Sequence, residues 1–332
     1  GNVVLRKVLK REQMAAFFAN LPVCLIGMEA CGSAHYWARK LEALGHTVKL
    51  MAPQYVKPYV KTNKNDAADA EAICEAVTRP TMRFVPIKSV EQQAVLALHS
   101  ARQGFVKART AQANQIRGLL AEFGIVIPQG IAHIATRLPE ILEDGENGLP
   151  GDFRHLIERL GDHLKELDRQ AQELEVQIQL WHRSHAESQK LAQIPGIGPI
   201  TASALLAAIG DARHFANGRQ LAAWLGLVPR QHSSGGKQTL LGISKHGDNY
   251  LRTLLIHGAR AVIRFADRKP GDADRWLAGL LQRRHKNVAT VALANKNARV
   301  VWALLAHDRE YVTGYTPAPS SRSSTAPVAA GQ

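Results

Sequence analysis

Of the chain's 332 residues only three are cysteine, Cys24, Cys31 and Cys74. Such a small, irregularly spaced set excludes a disulfide framework or a zinc ribbon, and the three read as buried thiols. Long apolar runs are also missing. Nothing approaches the ~20 residues that span a bilayer, and no charged-then-apolar leader precedes a small-residue cleavage site, so the expectation is a cytoplasmic protein without a membrane segment. The third scarcity is local. From Arg213 to Arg309 there are five Asp and no Glu against 17 Lys and Arg. Most of the formal charge of +14 resides there. A surplus gathered in one segment is the footprint of a polyanion-binding surface, sensitive to salt through counterion release.

What is present is globular: 45% hydrophobic and 21% charged residues, enough chain for two domains of ordinary size. Residues 2–10 alternate in part and read as the returning strand of a hairpin. Arg11 to Asn20 reads as a short helix, and Val23 to Met28 as a buried strand with Glu29 at its end. Ser33 to Leu44 reads as a helix stopped by Gly45, Thr47 to Met51 as a strand, and Asp66 to Val77 as a helix. Strands alternating with helices predict an α/β layer fold over residues 1–88.

A different period governs residues 89–190. Phe153, Ile157, Leu160, Leu164, Leu167, Ala171, Leu174, Ile178 and Trp181 are spaced alternately four and three apart, the seam of a coiled coil or a long helical hairpin. Its partner is either the helix predicted from Val90 to Phe123 or a second subunit, and self-association is the reading taken. Residues 191–311 read as a mainly helical domain with glycine-rich turns. Residues 312–332, rich in Pro, Ser, Thr, Ala and Gly, read as a disordered tail.

Two sets of residues carry chemistry. Glu29 closes a strand, a position where α/β sheets present catalytic groups. Asp66 and Asp69, three apart at a helix start, face one side of the first turn. Carboxylates of this kind can gather Mg²⁺ ions, and they can equally complement the helix dipole. In the helical part, Leu191-Ala-Gln-Ile-Pro-Gly-Ile-Gly-Pro-Ile-Thr-Ala-Ser-Ala-Leu-Leu206 reads as a helix-hairpin-helix. Gly196 and Gly198 permit its turn, Ile197 plugs it, and free N–H groups at the next helix start bind phosphate without reading bases. Gly226-Leu-Val-Pro-Arg-Gln-His-Ser-Ser-Gly-Gly236 is a small-residue turn that holds adjacent serines out of the backbone between cations. Gly242-Ile-Ser-Lys-His-Gly-Asp-Asn-Tyr-Leu-Arg252 follows it.

Met28-Glu-Ala-Cys-Gly-Ser33 and Lys64-Asn-Asp-Ala-Ala-Asp69, with the hairpin, the paired serines and the Gly242 block, resemble the DEDD transposases of the insertion-sequence-110 family, relatives of the Piv-type DNA invertases. The resemblance covers most of the chain. It implies an RNase-H-like N-terminal domain of the RuvC type, long coiled-coil helices and a mainly helical C-terminal domain. Glu29, Asp66 and Asp69 match the second, third and fourth acidic positions, hence Mg²⁺ ligands. The family's first aspartate belongs to a Gly-Ile-Asp strand ahead of residues 1–10, outside this sequence. Ser234, followed by Gly235, matches the serine that attacks DNA and forms a phosphoserine link, with Ser233 as the adjacent alternative. A serine hydroxyl needs a base or metal and cations on the phosphate oxygens, and Arg230, Lys237, Lys245, His246 and Arg252 are the candidates for the second. The partners implied are element-end and target DNA, a structured noncoding guide RNA, and further copies in a dimer or tetramer, in a bacterial, nucleoid-associated setting.

Rival readings remain. His257-Gly-Ala-Arg260 with Tyr311 or Tyr315 superficially matches a tyrosine recombinase, although Leu251 to Ile263 reads as an apolar helix in which His257 is packed. A nucleic-acid-binding product that cannot cut, and a junction-resolving nuclease, are the others.

Overall fold

A computed structural model describes residues 3–61, 65–268 and 275–313, excepting the side chains of residues 267 and 268. It divides into two compact units, residues 1–184 with 203–214, and residues 185–202 with 215–332.

The first unit opens with a 3-10 turn, Arg11–Gln13, and helix α1 (Met14–Ala19). There follow β1 (Leu25–Glu29), α2 (Ala34–Ala43), β2 (Thr47–Met51), the short α3 (Pro53–Val56), α4 (Asp66–Val77) and β3 (Phe84–Val85). The sheet order is β1-β2-β3. β1 and β2 are parallel, from Leu25 opposite Thr47 to Glu29 opposite Met51, and β3 returns antiparallel with Val85 opposite Leu50. Because successive strand residues face opposite sides, β2 feeds two cores. Val48 and Leu50 pack with Ala34, Ala38 and Leu41 of α2, while Met51 packs with Val56, Ala72 and Ala76 under α4. Gly27 lets α4 close on β1, since a Cβ there would lie 3.0 Å from Ile73 and 3.1 Å from Val77.

Two expectations fail in this unit. Residues 3–10 form no strand; Val4 and Val8 are fully exposed, 100% and 98%, without a neighbouring strand to bond their backbone. Alternation marks a strand only where a pairing partner exists. The cysteines are exposed rather than buried. Cys24 and Cys31 lie just outside the two ends of β1, and Cys74 is on the outer side of α4.

α5 (Val90–Ala121), α6 (Ile131–Glu143) and α7 (Gly151–Ser184) follow in the same unit. Each residue of the expected seam on α7 is buried or half-buried, but its partner is α5 of the same chain. The cross-links Trp181 to Glu91, Glu175 to Arg102, Asp168 to Arg109 and His163 to Gln112 climb one helix as they descend the other, which makes the pair antiparallel. The self-association reading of the seam is corrected accordingly: α5 occupies it. Near the turn, Ile116, Leu120, Ile134, Leu138, Ile157 and Leu164 form one apolar cluster.

His99 of α5 is 1% exposed and its Nε2 lies 3.1 Å from Ser203 Oγ. Ser203 belongs to α9 (Pro199–Ile209), which follows α8 (Ala186–Ala192). Burial, then the charge of Arg102, lowers the His99 pKa to about 4. The unfolded chain therefore binds the extra proton between about pH 6.5 and 4, and stability falls as pH drops through that window. The full loss is on the order of 3 kcal/mol. Chemical denaturation at pH 7 and pH 4.5 should show it, and His99→Gln should reduce the fall while His35, also lowered to about 4, keeps its own share; an unchanged profile would contradict the assignment of His99 as a buried neutral group.

In the second unit come α10 (Gly218–Trp224), the antiparallel ribbon β4 (Pro229–Ser234) and β5 (Lys237–Ile243), α11 (Asn249–Arg268), α12 (Arg275–Arg283) and α13 (Lys286–Ala306). Leu251, Leu255, Ala259 and Ile263 of α11 and Ala294, Ala298 and Val301 of α13 are buried. Asn297 reaches from α13 to the Pro195 carbonyl at 2.9 Å. The expected tail lies outside the described residues apart from Val312 and Thr313. No described helix is long and apolar enough to cross a membrane.

Candidate functional site

In the first unit Glu29 ends β1, half-buried, where the chain leaves the sheet through an Ala30 N–H bond to the Met51 carbonyl, 2.8 Å. α4 begins at an Asn65 cap whose side chain accepts from the Ala68 N–H at 2.8 Å. That cap brings Asp66, exposed, and Asp69, half-buried, into the first turn. None of the three carboxylates makes an ion pair or a side-chain hydrogen bond among the described residues. Nor does any group of three His, Cys, Asp or Glu stand close enough to hold a metal ion there. Lys64 lies outside the described residues. Carboxylate oxygens are hard donors of the kind Mg²⁺ takes, but the described residues do not gather three of them at one point.

In the second unit the Ile194–Gly198 hairpin closes through an Ile197 N–H bond to the Ile194 carbonyl, 2.9 Å. Ile197 is 2% exposed, as a plug should be, and Gly196 takes φ +88°. The two glycines then part. Gly198 is exposed with open space around it, whereas Gly196 packs on Gly258 of α11, backbone against backbone.

Ser233 and Ser234 stand at the end of β4, not in an irregular loop. Gly235 and Gly236, at φ +57° and +76°, make a two-residue turn of the kind that matches strand twist, and Ser234 pairs with Lys237 across it. The register separates the serines. Ser233 shares a face with Gln231, Gln238 and Leu240, and its Oγ accepts from Gln231 Nε2 at 2.9 Å. Ser234 shares the other face with His232, Lys237 and Thr239. Its hydroxyl has no partner among the described residues. Apart from Ile243, every residue of the ribbon is exposed.

Arg230, Lys237, Lys245 and His246 are exposed around this ribbon, but Arg252 is not. It is 7% exposed, donating to the Leu225 carbonyl at 3.4 Å and to Asn249 Oδ1 at 2.8 Å. Its expected role as a phosphate contact is corrected: it ties α11 to the end of α10. His257 reverses in the opposite sense. It is exposed rather than packed, on one face of α11 with Arg260 and Arg264. Neither arginine was singled out as a DNA contact from the sequence; the signal was available in the steps of three and four from His257 that set them opposite the apolar positions. Tyr311 is half-buried, and Tyr315 lies outside the described residues.

Comparison with known proteins assigns both ends of the chain. Residues 188–273 match the Transposase IS116/IS110/IS902 family, and residues 5–125 match the DEDD transposase domain of the IS110 type. A probable family 20 transposase of Pseudomonas aeruginosa is 57% identical over 314 residues, 94% of this chain and 93% of that protein. The transposase for insertion sequence element IS1111A of Coxiella burnetii is 45% identical over 95% of this chain and 86% of its own length. A pilin gene-inverting protein of Moraxella bovis is 32% identical over 160 residues, 47% of each chain. The chain belongs to the IS110/IS116 family of transposases. It is therefore an enzyme of the class that cuts and rejoins DNA.

Proposed function

We propose that this transposase recombines DNA site-specifically through a covalent link to Ser234, with Glu29, Asp66 and Asp69 holding Mg²⁺. The observation that carries the reading is the ribbon register. It presents Ser234 with an uncommitted hydroxyl, on a face shared with His232 and Lys237 and free of carboxylates, while Ser233 is turned away and engaged by Gln231. In this reading Ser234 Oγ gives up its proton to water and attacks phosphorus, the bond to the leaving nucleotide oxygen breaks, and that oxygen is protonated from water. The strand end stays on the protein until another end displaces the serine. Lys237, with Arg230, Lys245 and His246 nearby in the chain, lies against the phosphate oxygens. A divalent ion, when bound, supplies Lewis-acid polarisation of the phosphate and lowers the proton affinity of an attacking oxygen.

The fold assigned to residues 1–88 is of the RNase-H-like type, a reading supported by the small mixed sheet covered on both faces and by the DEDD match. By the same resemblance the protein works as a dimer or tetramer and takes a structured noncoding RNA as its guide.

The decisive experiment incubates the chain with end-labelled element DNA, Mg²⁺ and the element's noncoding RNA, denatures the mixture, and maps the labelled adduct by mass spectrometry. The adduct is expected on the peptide carrying Ser234. An adduct on Tyr311 would replace this reading by tyrosine chemistry. Asp66→Asn and Asp69→Asn should each remove most Mg²⁺-dependent adduct without changing the melting temperature, and parental yield from either would refute its role as a ligand.

A further inference from the structure

We infer that the outward face of α11 binds the sugar–phosphate backbone of duplex DNA. Thr253, His257, Arg260 and Arg264 are all exposed. Their spacing of four, three and four keeps them within about 60° of one another around the helix and spreads them over about 16 Å of its length. The opposite face is anchored. Leu251, Leu255, Ala259 and Ile263 are buried, and Gly258 sits against the Gly196 backbone. The stripe therefore rides on a helix that cannot roll to hide it.

What sets these arginines apart is that neither has a counter-charge among the described side chains. Neither Arg260 nor Arg264 makes an ion pair or hydrogen bond among the described residues, and the sequence holds no Asp or Glu between Asp248 and Asp267. Asp248 is spent on capping the start of α11, accepting from the Tyr250 and Leu251 N–H groups at 2.7 and 3.1 Å. A solvated helix surface elsewhere in this chain looks different. Arg169 on α7 is held between Glu166, at 2.6 Å, and Glu173. Guanidinium groups are weakly hydrated forks suited to planar, bidentate contact with phosphate.

The shape of the array selects the ligand. One phosphate group would need donors that converge, whereas these are strung in a line. A linear series of anions satisfies that arrangement, and one DNA strand sets a phosphate every ~3.4 Å along the axis. Contacts of this kind position a duplex without reading its sequence. The inference rests on membership of a DNA-transposing family and is independent of the role of Ser234.

The test measures binding of the whole chain to a fluorescein-labelled duplex by anisotropy across a salt series. Arg260→Gln with Arg264→Gln should weaken binding and reduce the slope of log K against log salt by about 2 in magnitude, close to one released counterion per arginine. The loss should be the same on a second duplex of unrelated sequence. Arg260→Lys with Arg264→Lys should keep the parental slope, and so should Arg169→Gln. Retention of the parental slope by the double Gln variant overturns the proposal, as does a loss seen only with RNA of matching sequence. If that variant melts early, Arg260→Gln and Arg264→Gln alone, each expected to take about one from the slope, decide the matter. Adduct formation at Ser234 in the parent, alongside an unaltered slope in the stripe variants, would remove this proposal and leave the serine reading intact.

Discussion

Ser234→Ala should abolish strand exchange, by more than about a thousandfold, while Ser233→Ala should leave it close to the parental rate. The contrast is what the ribbon geometry predicts and what composition alone does not. Two serines adjacent in sequence are on opposite faces of a strand, so one ribbon surface can meet DNA with only one of them. On the proposed mechanism, removing Ser234 deletes the attacking oxygen, whereas removing Ser233 deletes a bond to Gln231 on the reverse side. Both positions are exposed, so neither change should shift the melting temperature, and DNA affinity should persist in both variants. Recombination of a two-ended substrate, scored on a denaturing gel, measures the effect. Equal loss in the two variants would mean that the whole tip, and not one hydroxyl, is required.

Gly258→Ala should unfold or severely destabilise the second unit, although Gly to Ala inside a helix ordinarily stabilises. A Cβ at Gly258 would stand 1.7 Å from the Gly196 carbonyl oxygen and 2.8 Å from its carbon. These are backbone atoms of a turn that is itself held by Gly196 at φ +88° and by Asn297 on the Pro195 carbonyl. No side chain can swing aside, so α11 must retreat from the hairpin, and the cost should exceed the ~1–3 kcal/mol usual for overpacking. Gly279 of α12 provides the control. A Cβ there meets nothing within 4 Å among the described residues, so Gly279→Ala should gain about 0.5–1 kcal/mol. Urea titrations of the two variants followed by tryptophan fluorescence give the comparison. Parental stability in Gly258→Ala would show that the hairpin does not rest on α11.

Local signals carried the regular elements. β2 was legible to the residue because alternation, a preceding glycine and a following proline all agree at Thr47 and Met51. α4 was legible because Asn65 is a capping residue in the right place. Signals that state only that a face is buried, and not against what, carried less. The α7 seam was visible, but a heptad does not say whether its partner is the same chain. Residues 3–10 have the look of a strand, but a strand is made by its neighbour. Arg252 and His257 were misjudged together, and for one reason. Which side of α11 faces inward follows from the spacing of Leu251, Leu255, Ala259 and Ile263 and from the contact of Gly258 with Gly196, 62 positions away, and neither shows when Arg252 and His257 are judged by residue type alone. In the candidate site, residue types and approximate positions were readable from the serine block and the acidic pair. The separation of Ser233 from Ser234 was not, because it depends on the cross-strand register.

The exposed ribbon has a bearing on how such an enzyme diversifies. Its side chains, all but Ile243 in solvent, lend nothing to any core. A replacement at Thr239, on the face of Ser234, accordingly carries almost no folding penalty, and on the proposed reading selection there is felt through DNA. If the reactive group is Ser234, as proposed, an enzyme that mounts it on such thermodynamically silent scaffolding can drift toward new substrates while its architecture stays put.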